Sequence, residues 1–327
     1  MATIRWRSEV RTYTELELDA KTIASEFEFV GSGAQGAVYK WQSPRGLYAV
    51  KVLTDPNIFQ RLDEIARRLK SAPESVTKRG VPVAYGIGKP SEFGLKSAHQ
   101  IALLIFNFIE GEQLNKALTN EKIFSKKRRD FARQLLEIFE SLETSGVIHT
   151  DAYEDNFFVS GNLLYASDLE GSGIWDIKKN RWMYKPLVAG KTQIFTAPLE
   201  LEMGREPHPR SMTWYGLRLV HKVLLKLEPY DFFKAFPSAF MKTDWAKCLE
   251  HQGVNTWPPN PDSLESCKFD PDRMGIMLDI YEQYIPEREI WGRAFRHFML
   301  RTFGAGYSYP ERRPSMREIS YYLKEAL

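Results

Sequence analysis

Within GVIHTDAYEDNFFV, residues 146–159, His149, Asp151 and Asn156 occupy a polar loop between two apolar runs. Asn156 follows Asp151 by five positions. At that spacing a carboxylate can accept a hydroxyl proton while the amide oxygen holds a magnesium ion. Twelve residues beyond Asn156, after the strand-like LLYAS, Asp168 stands at a strand end, where its oxygens suit a hard cation. Each of these residues is also common in ordinary turns. His149 reads as a core histidine bonded to backbone rather than a metal ligand, because no second His or Cys lies at a ligand spacing.

A second group lies upstream. GSGAQGAV, Gly31 to Val38, has the pattern G-x-G-x-x-G-x-V, whose glycines admit backbone close to a phosphate. The same glycines can open a dinucleotide-binding unit or form an ordinary hairpin. Ala37-Val38-Tyr39-Lys40-Trp41 continues as a strand rather than a helix, which favours a phosphate-covering β-hairpin. Fifteen residues after Gly36, Lys51 falls inside the apolar strand LYAVKVL, where an ammonium without a partner would cost several kcal/mol. A phosphate is one candidate partner, and Glu64, midway along the next helix, is another. Against these stand a lysine that snorkels to solvent and a glutamate that is a solvated helix residue. Arg68, a turn after Glu64, is out of place on a face that should pack inward.

The elements that must hold these groups follow from periodicity. Phe27 to Leu53 alternates β-branched and aromatic residues around glycine turns and predicts an antiparallel meander of three strands. Asp55-Pro56 opens a helical segment with Ile58, Leu62, Ile65 and Leu69 on one stripe, and a strand pair follows at Val83 to Gly88 and Ile101 to Ile109. Beyond EGEQL, residues 110–114, the pattern turns helical. Phe131, Leu135, Ile138 and Leu142 form a stripe ended by Gly146, and WYGLRLVHKVLLKLEP and RRPSMREISYYLKEAL have the same period. The proline-rich stretch from Trp257 to Pro271 predicts a loop between helices.

A chain of 327 residues has room for about two folding units, and its 43% hydrophobic content excludes wholesale disorder. Lys and Arg total 45 against 42 for Asp and Glu, a net +3 that implies no general polyanion-binding role. No dedicated nucleic-acid binding is expected, and Lys126-Lys127-Arg128-Arg129 reads as a solvated helix start. The tryptophans follow no stacking spacing and read as packing residues. Two cysteines, Cys248 and Cys267, make neither a disulfide framework nor a zinc site, which suits a reducing compartment. The N-terminal residues lack an apolar signal region, and Ile101 to Phe108 is too short to span a bilayer, so a cytoplasmic protein without a membrane span is expected.

Taken together, these motifs resemble the eukaryotic-type protein-kinase superfamily, over roughly residues 26–327. The resemblance implies an α+β, bilobal protein-kinase-like fold. An N-terminal extension (1–25) would precede a β-rich N-lobe with one main helix (26–109) and a mainly α-helical C-lobe (110–327), with ATP and Mg2+ in a cleft between the lobes. It further implies that Gly31, Gly33 and Gly36 cover the ATP phosphates and that Lys51, paired with Glu64, holds the α/β-phosphates. Asp151 would be the catalytic base, with Asn156 and Asp168 on Mg2+. The adenine would lie among Val38, Ala49 and Phe158, beside a hinge from Asn107 through Phe108 to Ile109, with Phe106 as gatekeeper. In GKTQIFTAPLE, Thr192 and Glu200 resemble the substrate-side threonine and the glutamate of the family's segment, and Arg313 resembles the arginine that pairs with that glutamate. The implied reaction is transfer of the ATP γ-phosphoryl group to Ser or Thr of a protein substrate.

The chain also departs from the family. Thr150 replaces the arginine of H-R-D, and Tyr153 stands where Ser/Thr kinases carry a lysine. Asp168-Leu169-Glu170 replaces D-F-G, with Gly171 one place late, and Met212 replaces an aspartate that braces the catalytic loop. Two alternatives stay open: a small-molecule hydroxyl kinase of the aminoglycoside or choline type, which also lacks the Arg and Lys, and a pseudokinase scaffold. Lys178, Lys179, Arg181, Lys185 and Lys191 can order the segment from Asp168 to Pro198 without phosphate. Phosphatase-treated protein is therefore expected to keep its transfer rate, whereas a large drop restored by incubation with ATP would make Thr192, Thr196 or Ser172 a switch.

Overall fold

The computed structural model describes residues 2–6, 14–18, 23, 25–33, 36–53, 58–93, 100–120, 127–187, 197–231, 256–259 and 270–327. The chain is mixed α+β, with a β-rich N-terminal antiparallel sheet and a helical C-terminal part. It divides into two compact units, Met1–Gly111 with Tyr165–Glu170, and Glu112–Leu164 with Gly171–Leu327. Among the described residues no helix is long and apolar enough to cross a membrane.

The first unit is built on seven antiparallel strands, β1 (Ala2–Trp6), β2 (Thr14–Leu18), β3 (Phe27–Gly33), β4 (Gly36–Ser43), β5 (Gly46–Leu53), β6 (Ala84–Gly88) and β7 (Ile101–Asn107), in the order β2-β1-β6-β7-β5-β4-β3. The meander expected from Phe27 to Leu53 is β3-β4-β5, and the expected strand pair is β6-β7. Within residues 1–25, Thr3 to Trp6 pair with Ala84 to Ile87, which covers a sheet edge that would otherwise present unpaired backbone.

Both faces of β5 and β7 are covered, which is why Ile101 to Phe106 is buried without alternation. Trp41, Val50, Val52, Leu103 and Ile105 pack on one face. Ala49, Leu53, Leu104 and Phe106 pack on the other, with Ile58 and Leu62 at the start of helix α1 (Phe59–Arg68). Asp55-Pro56, expected to open that helix, lies outside the described residues. A second helix, α2 (Glu74–Gly80), was not expected from the periodicity.

In the second unit, α3 (Leu114–Ala117) follows strand β8 (Glu112–Gln113). Helix α4 (Arg128–Thr144) buries the predicted stripe of Phe131, Leu135, Ile138 and Leu142, and Gly146 just beyond it takes φ +66°, the left-handed conformation that ends helices. Strands β9 (Val147–Ile148) and β10 (Phe157–Ser160) bracket the polar loop, and β11 (Leu163–Ala166) carries the chain back to the first unit. Strands β12 (Gly173–Asp176) and β13 (Arg181–Tyr184) form a hairpin paired to β9. Next come α5 (Leu199–Glu202), α6 (Ser211–Leu225), α7 (Pro271–Tyr284), α8 (Ile290–Met299) and α9 (Met316–Leu323). Pro271 opens α7 at its first turn, capped by Asp270, whose carboxylate accepts from the Asp272 and Arg273 backbone N–H groups. Trp214 of α6 is buried among the rings of Phe303, Tyr230 and Tyr307, a packing role like that expected of the tryptophans. Cys248, Cys267 and most of the Trp257 to Pro271 stretch lie outside the described residues.

Gly36 is required by close approach, since a Cβ there would stand 1.8 Å from the Val52 carbonyl oxygen, whereas a Cβ on Gly31 would meet nothing within 4 Å. Gly36→Ala is therefore expected to destabilise the protein by about 1–3 kcal/mol, and Gly31→Ala to stay within about 0.5 kcal/mol of wild type. Urea denaturation of the two variants checks the contrast.

Candidate functional site

In the first unit the site is organised by strand register. Residues directly opposite one another share a face, so Lys51 lies beside Val38 and Leu104, and Ala49 beside Lys40 and Phe106. Gly31 faces Val38 across β3-β4, and Gly33 faces Gly36; residues 34 and 35 at the hairpin tip lie outside the described residues. One sheet face thus carries Gly31, Val38, Ala49 and Lys51 together.

The ammonium of Lys51 is held by two carboxylates, Asp168 and Glu170. Burial alone would lower the lysine's pKa, but the charges of Glu170 and Asp168 outweigh it and drive it above the ordinary value, so Lys51 is charged at neutral pH. Glu170 is buried, and burial together with the charge of Asp168 raises its carboxyl above the ordinary value, which the charge of Lys51 opposes. The segment carrying them is a tight 3-10 turn, Leu169–Gly171, entered through Asp168 at φ +62°. A non-glycine residue in that conformation is uncommon and marks a backbone held by its surroundings. Leu169 is buried against Gly80, the last residue of α2, where a Cβ would come within 2.5 Å of the leucine side chain.

Glu64 does not pair with Lys51, contrary to expectation. Its carboxylate accepts from Arg67 (Nε, 2.7 Å) and Arg68 (Nε, 2.8 Å), residues three and four positions on along α1. Hydrogen bonding from Arg67, with Arg68 adding to it, holds the Glu64 carboxyl near pKa 2 despite partial burial. Two guanidinium groups on the same helix reach the carboxylate at little entropic cost, and they explain the arginine that looked out of place. At the expected hinge, Asn107 donates from Nδ2 to the Lys78 carbonyl at 3.3 Å, and the Phe108 N–H donates to the Leu47 carbonyl at 3.2 Å. Both border a cavity of about 710 Å³ with Leu47, Leu69, Lys78 and Val83.

The second unit contains the other expected residues. Asn156 donates from Nδ2 to the Asp151 carbonyl oxygen at 2.5 Å and approaches its carboxylate at 3.4 Å, closing the loop through the 3-10 turn Glu154–Asn156. His149 is buried, its Nδ1 3.4 Å from Ser172 Oγ, in keeping with a core histidine. Its backbone N–H donates to Met212 Sδ at 3.4 Å, so the methionine occupies the bracing position with a weak thioether acceptor. Phe158 lies on β10 opposite Gln113.

Tyr153 stands edge-on to Tyr215 at 5.5 Å, with the Arg218 guanidinium 5.3 Å from its ring centre. Arg218 and Lys222 are shared between the carboxylates of Glu154 and Glu228. Burial raises the Glu154 pKa, but Arg218 and Lys222 more than offset this and leave it below the ordinary value. This network, with Glu170 and Met212, is what motif reading missed around the site; the hint in the sequence was that 170 and 212 broke the pattern.

The structure pairs Glu200 with Arg313, as the resemblance implies. The guanidinium is bidentate on the carboxylate at 2.6 and 2.8 Å, Ser211 donates to it at 2.7 Å, and Arg313 Nε reaches the Gly306 carbonyl at 2.7 Å. Both side chains are buried. Lys191, Thr192 and Thr196 lie outside the described residues. No protein-family model matches the chain, and no curated protein is significantly similar to it in sequence.

Burial pushes the Glu200 carboxyl up, but Arg313 outweighs it and holds the pKa below the ordinary 4.5. A depressed folded-state pKa means that the pair stabilises the fold above pH 4.5 and that this contribution is lost as the pH falls and the carboxylate protonates. Arg313→Met, which leaves Glu200 buried and unpaired, is expected to cost about 3–5 kcal/mol at pH 7. The deficit should shrink at acidic pH, which urea denaturation of wild type and variant at pH 7 and pH 4 checks.

Proposed function

We propose that the chain is an ATP- and Mg2+-dependent phosphotransferase of the protein-kinase superfamily, with Ser or Thr of a protein as acceptor, and that its units correspond to a β-rich N-lobe and a helical C-lobe. The observation that carries this reading is the sheet face on which Gly31, Val38, Ala49 and a charged, carboxylate-held Lys51 stand together. In this reading the glycine hairpin lets backbone approach the phosphates, and Lys51 supplies the cation that binds them. Val38 and Ala49 provide apolar surface for the base, and Phe158 contributes from its own strand.

Asp151 orients the acceptor hydroxyl and takes its proton. Asn156, whose amide nitrogen is committed to Asp151, has Oδ1 as its metal-seeking atom, and Asp168 has a carboxylate; both are hard oxygen donors of the kind Mg2+ takes. Among the described residues there is no cluster of three or more His, Cys, Asp or Glu side chains suited to a metal. Mg2+ is ordinarily held by one or two protein oxygens together with substrate phosphates and water. The ion would neutralise charge on the phosphate oxygens. Catalysis then consists mainly of positioning and electrostatics.

The buried Glu200–Arg313 pair supports the protein-substrate class, since it anchors the segment that includes Ala197-Pro198. A cytoplasmic setting belongs to the same proposal. Tyr153, packed on Tyr215 where a lysine would serve a Ser/Thr kinase, favours a second reading, a small-molecule hydroxyl kinase. Labelling with γ-labelled ATP, offering protein acceptors beside hydroxyl metabolites, separates the two. Phosphate on protein Ser or Thr is expected, and transfer only to a small hydroxyl compound selects the second reading. Asp151→Asn is expected to slow transfer by about 10²–10⁴-fold while MgATP still binds in a thermal-shift titration. A variant that retained full activity would remove Asp151 from the role of base.

A further inference from the structure

We propose that Glu170 is the residue that positions Lys51 for phosphate, in place of the helix glutamate Glu64, and that it leaves Asp168 to the cation. The proposal rests on the nucleotide-binding reading above. Three observations carry it. The carboxylate of Glu64 is already engaged by Arg67 and Arg68, so turning it to Lys51 would strip two guanidinium groups of their partner. Glu170, by contrast, is fully buried, and Lys51 is the one cation paired with it among the described residues.

The third observation is the shape of the turn. Asp168 and Glu170 are two positions apart, both carboxylates reach Lys51, and Leu169 between them is anchored against Gly80. The turn therefore aims two carboxylates at one ammonium, one more than the lysine needs. If Asp168 gives its oxygens to a cation, a lysine with a single partner would lose its counter-charge at the moment the phosphates arrive. With Glu170 in place, Lys51 keeps a fixed carboxyl partner behind it and stays aimed along the sheet face that carries Gly31 and Val38. Glu170 is thus a positioning residue acting through Lys51, and its presence in the position usually held by glycine is the compensation for a helix glutamate committed elsewhere.

The test combines a nucleotide-free measurement with a binding measurement. In double-mutant cycles on thermal unfolding, Lys51→Met with Glu170→Gln is expected to be strongly non-additive, and Lys51→Met with Glu64→Gln additive. For MgATP, Glu170→Gln is expected to raise Kd and KM by about tenfold, Glu170→Asp to recover part of the loss, and Glu64→Gln to change either by less than about threefold. Coupling of Lys51 to Glu64 instead, or a Glu170→Gln variant that binds MgATP as wild type does, overturns the proposal. Wild-type protein that binds no MgATP overturns the nucleotide reading and the proposal with it. That result is distinct from failure of the proposal alone, in which wild type binds and Glu170→Gln binds equally well.

Discussion

A lysine ammonium fixed on the packed face of a β-sheet must have anions beside it, and the first unit is arranged around meeting that requirement at Lys51. Strand β5 cannot give the charge up to solvent, because its neighbours on that face are Val38, Ala49, Leu104 and Phe106. The local helix offers Glu64, but two arginines on the same helix take it. The counter-charge therefore comes from more than a hundred residues along the chain, on a turn that Leu169 pins against Gly80. Through this one requirement a segment distant in sequence becomes part of the β-rich unit.

The second unit answers a related problem with a different solution. Two sets of its buried charges are paired: Glu200 is matched by a bidentate Arg313, and Glu154 and Glu228 share Arg218 and Lys222. An isolated buried charge would cost several kcal/mol, whereas a fully paired network fixes the backbone it joins. Helix α6 holds the loop that carries Asp151 and Asn156 at two points, Glu154 through Arg218 and His149 through Met212. The loop's geometry is thus a consequence of packing below it, and its own hydrogen bonds from Asn156 to Asp151 complete the arrangement.

In the proposed kinase reading, the residues that break the expected pattern make physical sense in this light. Met212 replaces a charged brace with a thioether that still accepts from the His149 N–H. Tyr153 replaces a lysine with a ring that covers Arg218, keeping a cation close but beneath an aromatic surface. Glu170 brings a carboxylate to the lysine whose expected partner is otherwise engaged.

What the sequence determined alone was whatever depends on near neighbours. Alternation over Phe27 to Leu53, the apolar strand run that begins at Ile101 and the stripe of Phe131, Leu135, Ile138 and Leu142 are all local, so periodicity revealed them. The Glu200–Arg313 pair was reached only through resemblance, because its partners are 113 positions apart. What the tertiary structure decided was the competition for partners. Glu64 and Glu170 are both glutamates within reach of a lysine on paper, and no spacing rule ranks them. Two arginines one turn away captured the first, and burial left the second with Lys51. The early residues Ala2–Trp6 likewise became a strand because β6 had an open edge to fill. Pairing of charges and edges is a property of the assembled chain, since only then are the rival partners close enough to compete.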